Sequence, residues 1–225
     1  MWRRKRRKTL DQIDWQVPIE EARRLARILV IDDDPDAFPV ELLREQGFNI
    51  QYWNTIDLDK LKRILNGEFD IIVLDIIGIA PEQISATNGF GVLEEIKRLN
   101  PNQLVIAYSG QKFDIKAHDF FSIADDTLGK PTDLVTAASV LDNLLREKFN
   151  LSHYWETIRS ILRREGIPEG EINRLESRLL KVLESGSTEE AREFLERLQR
   201  KETYVKVAQW ISRLISLYLK IRFGI

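Results

Sequence analysis

The chain has no cysteine among its 225 residues. That excludes a disulfide framework, a thiolate metal site and a cysteine nucleophile, and it suits the cytosol. Histidine is nearly absent too: His118 and His153 stand alone, so neither a histidine-rich metal centre nor a Ser-His-Asp triad is expected. No segment offers the long uncharged apolar run that a membrane span needs. The basic start, Arg3 to Lys8, is not followed by the apolar core of a signal peptide.

Charge is present in both signs but is unevenly placed. Residues 1–27 hold nine basic and four acidic side chains, so +5; residues 28–150 hold 11 and 21, so −10; residues 151–225 hold 14 and 11, so +3. An acidic middle between basic ends predicts modules with different partners. For the basic start, the plain expectation is a solvated tail over a loose stretch 1–17. Nucleic acid or an acidic partner surface is the sharper reading.

Short apolar runs and helical patterns alternate from Ile28 onward. Strands are expected at 28–31, 48–53, 70–75, 103–108 and 123–128. The matching helices are expected at 37–46, 57–66, 88–99, 113–120 and from Thr132, as cap, to about 148. A preceding short helix opens at Pro18. Five strands alternating with five helices predict an α/β fold, a doubly wound five-stranded parallel sheet. After Asn150 the strand signals stop. Helices are expected over 152–165, from Pro168 to about 185, from a capping box at Ser187 and Glu190, and from about 203. The organisation expected is therefore a basic extension over 1–25, a sheet domain over 26–149 and an all-α helical bundle over 150–225. Asn150 and Ser152 are the only signals breaking a helix that could otherwise run across 132–165.

The run Asp70-Ile71-Ile72-Val73-Leu74 ends at Asp75. In open α/β sheets ligands gather at the carboxyl ends of the strands. Two neighbouring runs end in Asp32-Asp33-Asp34 and in Ser109, and Lys130 follows the fifth strand. Asp32, Asp33 and Asp75 make a hard-oxygen set suited to Mg²⁺. Ser109 and Lys130 supply a hydroxyl and a point positive charge for a phosphoryl group. One carboxylate would act as nucleophile and form an acyl phosphate. Asp34 and Asp36 read more simply as helix caps.

The segments Ile28 to Pro35, Asp70 to Asp75, Tyr108-Ser109-Gly110 and Gly129-Lys130-Pro131 resemble the motifs of the receiver domain of two-component response regulators, over about residues 26–148. The resemblance implies phosphorylation of Asp75 by a sensor histidine kinase or phosphotransfer protein. It implies Mg²⁺ held by Asp32, Asp33, Asp75 and the backbone carbonyl of Ile77, and phosphoryl contacts from Ser109 and Lys130. The implied protein is a cytoplasmic phosphoacceptor rather than an enzyme. Two features depart from the pattern. Gly89 arrives about six residues late, after an insertion following Asp75, and Thr127 stands where the family usually has an aromatic. Tyr108 is expected to pack in the core or at the rim rather than to replace that aromatic.

Two alternatives remain open at this level. Asp32-x-Asp34 with Ser109 and a later lysine also resembles haloacid-dehalogenase-type phosphatases, with Asp32 as nucleophile, although no later acidic strand end follows. A constitutive receiver-fold scaffold is the other. In the last segment Arg174, Arg178 and Lys181 share a helical face, but interleaved glutamates favour a solvated face over nucleic-acid binding. The last helix is apolar around most of its circumference. It is expected to be the central helix of the bundle, or else to form a homodimer or a partner-docking face.

Overall fold

A computed structural model describes residues 9–13, 15, 17–82, 84–110 and 122–224. The basic run 3–8, His118 and the helix expected at 113–120 lie outside the described residues. The chain divides into two compact units, Pro18–Phe149 and a second made of Asn150–Ile225 with Met1–Val17.

The first unit contains a five-stranded, all-parallel sheet in the order β2-β1-β3-β4-β5. The strands are β1 (Ile28–Ile31), β2 (Ile50–Trp53), β3 (Ile71–Asp75), β4 (Leu104–Ser109) and β5 (Asp126–Gly129). Every residue of β1 and β3 is buried, which is why those strands read as unbroken apolar runs. Ile31 pairs with Trp53 on one side and with Leu74 on the other. Leu74 in turn pairs with Ala107.

The helices of this unit are α1 (Ile19–Leu25), α2 (Val40–Glu45), α3 (Leu58–Leu65), α4 (Gly89–Leu99) and α5 (Leu134–Lys148). Leu29, Ile31, Leu74 and Ala107 face a core completed by Ile64 of α3 and Val92, Leu93 and Ile96 of α4. Each such buried Leu, Ile or Val side chain contributes about 1.5–3 kcal/mol relative to exposure. Helix α1 packs on α5. Arg23 donates from Nε and Nη2 to the two carboxylate oxygens of Asp142 at 2.9 and 2.6 Å, a bidentate pair.

Caps differ in detail from expectation. Asp133, not Thr132, caps α5 by accepting the Thr136 N–H at 3.0 Å. Helix α2 begins after Pro39, so Asp34 and Asp36 are not its caps. Instead Asp34 Oδ1 accepts the Asp36 N–H at 3.1 Å and closes a local turn. Strand β5 starts three residues later than the run 123–128 suggested.

The second unit holds α6 (Leu151–Arg164), α7 (Glu169–Ser185), α8 (Thr188–Gln199) and α9 (Glu202–Phe223). Asn150 caps α6 through the His153 N–H at 2.8 Å, so no single helix crosses 132–165. Ser187 caps α8 through the Glu190 N–H at 3.2 Å. Helix α9 packs against α6, α7 and α8, and Val207, Trp210, Ile211, Leu214, Ile215 and Leu217 are all buried. The wide apolar face of the last helix is thus covered within the chain. The loose stretch expected at 1–17 does not include Leu10, which is fully buried and donates its N–H to Glu176 Oε1 at 3.2 Å. Among the described residues, no helix is long and apolar enough to cross a membrane.

Candidate functional site

Alternation along the strands decides which side chains meet at the rim. Ile31, Leu74 and Ala107 point into the α3/α4 core. The next residue of each strand, Asp32, Asp75 and Tyr108, therefore shares the opposite face. Asp75 pairs with Tyr108 in the sheet, and Asp32 extends β1 by donating its N–H to the Trp53 carbonyl at 3.1 Å. Ser109 ends β4 opposite Gly129, and its carbonyl accepts the Lys130 N–H at 2.9 Å. The peptide bond that follows, Lys130–Pro131, is cis.

Lys130 reaches back over this row. Its Nζ donates to Asp32 Oδ1 at 2.6 Å and to Asp75 Oδ2 at 2.8 Å, and lies 3.6 Å from Asp33 Oδ1. Asp32 is fully buried and Asp75 nearly so, at 3% exposure; Asp33 is exposed. Burial raises the Asp32 pKa above the usual carboxylate value, the nearby Asp75 charge adds to this, and hydrogen bonds from Lys130 and Asp34 oppose it. For Lys130, burial disfavours the ammonium, but hydrogen bonds to Asp32 and Asp75 outweigh it and hold the pKa above its ordinary value. Three carboxylates against one ammonium leave the rim net negative.

The donor set fits a hard divalent cation. Asp32, Asp33 and Asp75 each offer an oxygen within 4.8 Å of the others. Asp32 Oδ2 is buried and accepts no hydrogen bond among the described residues. An orphaned buried carboxylate oxygen beside two more carboxylates is what a missing cation ligand looks like. Gly78 makes room for this set: it has φ +87°, and a Cβ there would collide with the Asp33 carboxylate. Gly89, at the start of α4, lies against the Asp75 carbonyl with no space for a side chain.

Solved structures of similar fold include a two-component response regulator from Clostridium difficile, 22% identical over 54% of this chain and 97% of that chain, with a TM-score of 0.43. A CheY-like response regulator receiver domain protein from Methanospirillum hungatei JF-1 is 23% identical over 54% and 94%, TM-score 0.45. A beryllofluoride-activated NtrC4 receiver domain dimer is 24% identical over 55% and 98%, TM-score 0.45. The strand order β2-β1-β3-β4-β5 of the sheet unit is by itself that of the flavodoxin-like doubly wound fold. No protein-family profile and no curated protein matches the chain. At these identities the likeness is one of fold, over about half of this chain.

The receiver-like rim brings Asp32, Asp33, Asp75 and Lys130 into one cluster, with Ser109 at the adjoining strand end. The insertion after Asp75 is not a loose surface loop. Ile76 and Ile79 are buried, while Ile77 is 48% exposed. The Ile77 N–H donates to Asp75 Oδ1 at 3.1 Å. Asn88, with φ 55°, accepts the N–H groups of Ile79 and Ala80 at 3.1 Å each, and the Ile79 carbonyl accepts from Ile56 N and Thr55 Oγ1. Tyr108 is fully buried, stacks edge-on to Phe38 and donates its hydroxyl to the Ala37 carbonyl. It is a packing residue that anchors the loop after β1. Thr127 is half-buried on β5, paired with Ala107.

Sequence reasoning passed over Gly78, Asn88 and Tyr52, whose hydroxyl donates to the Asp32 carbonyl. The Asn88-Gly89 dipeptide was the available signal for the first turn of α4. Nothing local marks Tyr52.

Proposed function

We propose that this chain is a phosphorylation-responsive signalling protein in which Asp75 accepts a phosphoryl group from a histidine kinase or a phosphotransfer protein. The observation that carries this reading is the shared ammonium: Lys130 holds Asp32 and Asp75 together beside the orphaned Asp32 Oδ2. In the reaction an Asp75 carboxylate oxygen attacks the donor's phosphorus. A P–O bond forms, giving an acyl phosphate, and the P–N bond to the donor imidazole breaks, its electron pair passing to that nitrogen so that an imidazole already protonated on its other nitrogen leaves neutral.

Asp32, Asp33 and Asp75, with the carbonyl of Ile77, would hold Mg²⁺. When bound, the ion neutralises phosphoryl oxygens during transfer. Lys130 already sits against the reacting carboxylate and moves its hydrogen bond to a phosphoryl oxygen as charge arrives there. Ser109 offers a hydroxyl to another. The buried rim keeps these groups in place before the donor binds.

The added charge and acceptors at the rim would shift the population toward a state with altered self-association or partner binding by the C-terminal helices. Those contacts must use surfaces other than the covered apolar face of α9. A cytoplasmic location accords with this role.

The test is labelling by acetyl phosphate with Mg²⁺. Wild type takes up one phosphoryl group, and Asp75→Asn abolishes the uptake. Labelling that survives Asp75→Asn and disappears in Asp32→Asn would replace this reading with the phosphatase one. Absence of any Mg²⁺-dependent labelling would leave a receiver-fold scaffold.

A further inference from the structure

The helical unit contains a cavity of about 620 Å³ between α7, α8 and the first turn of α9. That volume is within the range of small-molecule sites. Its charge is uneven. Arg174, Arg178 and Lys181 lie at i, i+4 and i+7 on α7, so they project from one helix face. Arg197 and Lys201 face them from the end of α8. Glu171, Glu190 and Glu193 also line the space. Glu193 is taken up by Arg197 at 2.8 Å, leaving four cations against two carboxylates.

Those four cations are not neutralised locally. Among the described residues none of them forms an ion pair, although ion pairs are frequent elsewhere on these helices, as in Arg159–Glu169, Arg192–Glu189 and Arg197–Glu193. Arg174 donates from Nε to the Gly170 carbonyl at 3.1 Å, which leaves its terminal nitrogens available. All four are exposed and line one concavity, so an anion entering it meets several cations at once.

The remaining wall is apolar: Leu175, Val182, Phe194 and Leu198. Tyr204 also lines the cavity and is buried at 8% exposure. Burial raises the pKa of its hydroxyl, Glu171 adds to the rise, and Arg178 and Arg174 oppose it, so both guanidinium groups act on this part of the cavity. A cavity lined by both cations and apolar side chains matches a ligand with an anionic head and an apolar body.

We infer that this cavity is a binding site for a small phosphorylated organic molecule of the nucleotide class, its phosphates held by Arg174, Arg178, Lys181 and Lys201 and its base laid on Phe194 and Leu198. Arginine forks suit phosphate oxygens in particular. The site lies wholly in the helical unit and does not depend on the phosphorylation chemistry assigned to Asp75.

The test uses the full chain without divalent cations, titrated calorimetrically with ADP and with inorganic pyrophosphate. ADP is expected to bind, and pyrophosphate to bind more weakly because it lacks the apolar body. Arg178→Ser, Lys181→Ser and Lys201→Ser should each weaken ADP by about tenfold, the loss of one charge-assisted pairing. All three side chains are exposed, so the fold, checked by circular dichroism, should persist. Arg192→Ser, on α8 outside the cavity, should leave binding unchanged. The inference is overturned if ADP shows no binding at about 1 mM, or if the three variants bind it as wild type does. Equal affinity for pyrophosphate and ADP would overturn the assignment of an organic ligand.

Discussion

The carboxylate of Asp33 occupies the space that a side chain on residue 78 would need. Gly78 is therefore part of the acidic site although it carries no functional group. Its φ of +87° adds a second requirement, because L side chains avoid that region. Gly78→Ala should cost about 1–2 kcal/mol of stability from the backbone alone. It should also displace Asp33 and weaken Mg²⁺ by about tenfold, as orienting contacts around metal sites do when lost. Calorimetric titration with Mg²⁺ separates the two effects. An unchanged affinity in a folded variant would show that Asp33 accommodates the methyl group and that Gly78 does not set its position.

Lys130 bridges two buried carboxylates. Lys130→Met leaves Asp32 and Asp75 facing each other without an ammonium. Removing one partner of such a cluster should destabilise the protein by about 3–5 kcal/mol. Mg²⁺ should restore part of the loss, because a cation then supplies the missing charge. Urea unfolding with and without Mg²⁺ reads both. A loss below about 1 kcal/mol would mean that the carboxylates relax or take up protons instead.

Asn88 ties down the segment after Asp75 by accepting the Ile79 and Ala80 N–H groups. Asn88→Gly keeps the positive φ available and removes only the acceptor. Two amides in a buried stretch lose their partner, at a cost of about 1–3 kcal/mol. Hydrogen exchange should accelerate at Ile76 to Ala80, while β3 remains protected. Uniform acceleration across the sheet unit would instead point to a global role for Asn88.

Glu169, at the start of α7, accepts from Arg159 and Arg163 at 2.6 and 3.1 Å. Hydrogen bonds from Arg163 and Arg159 lower its pKa from 4.5 to about 2. The folded value lies below the unfolded one, so its contribution is present above pH 4.5 and is lost as pH falls toward about 2. The stability difference between wild type and Glu169→Gln should shrink across that window. The carboxyl resonance of Glu169 should titrate near the lower end, and a midpoint near 4.5 would contradict the pairing.

Much of the sheet unit was legible because each signal was local. Unbroken apolar runs marked β1 and β3, whose residues are all buried. Asn150 and Ser187 marked helix starts and do accept the capping N–H groups. Caps failed where two polar residues competed: Thr132 and Asp133 both suit the position, and Asp133 is the one whose side chain accepts the Thr136 N–H. Strand ends likewise pointed to Asp32, Asp75, Ser109 and Lys130, since parallel topology brings every carboxyl end to one rim.

What the sequence determined by itself was therefore the alternating sheet unit, the helical remainder and the residue types at the rim. Period-2 and period-3.6 patterning and local capping suffice for these. Only the tertiary structure decided that Lys130 is shared between Asp32 and Asp75, and that Asp32 Oδ2 is left without a hydrogen bond among the described residues. It also decided that Gly78 yields its side-chain space to Asp33, and that the apolar face of α9 is covered within the chain. These features depend on segments distant in sequence. Their geometry depends on register, crossover and packing, which no local pattern records.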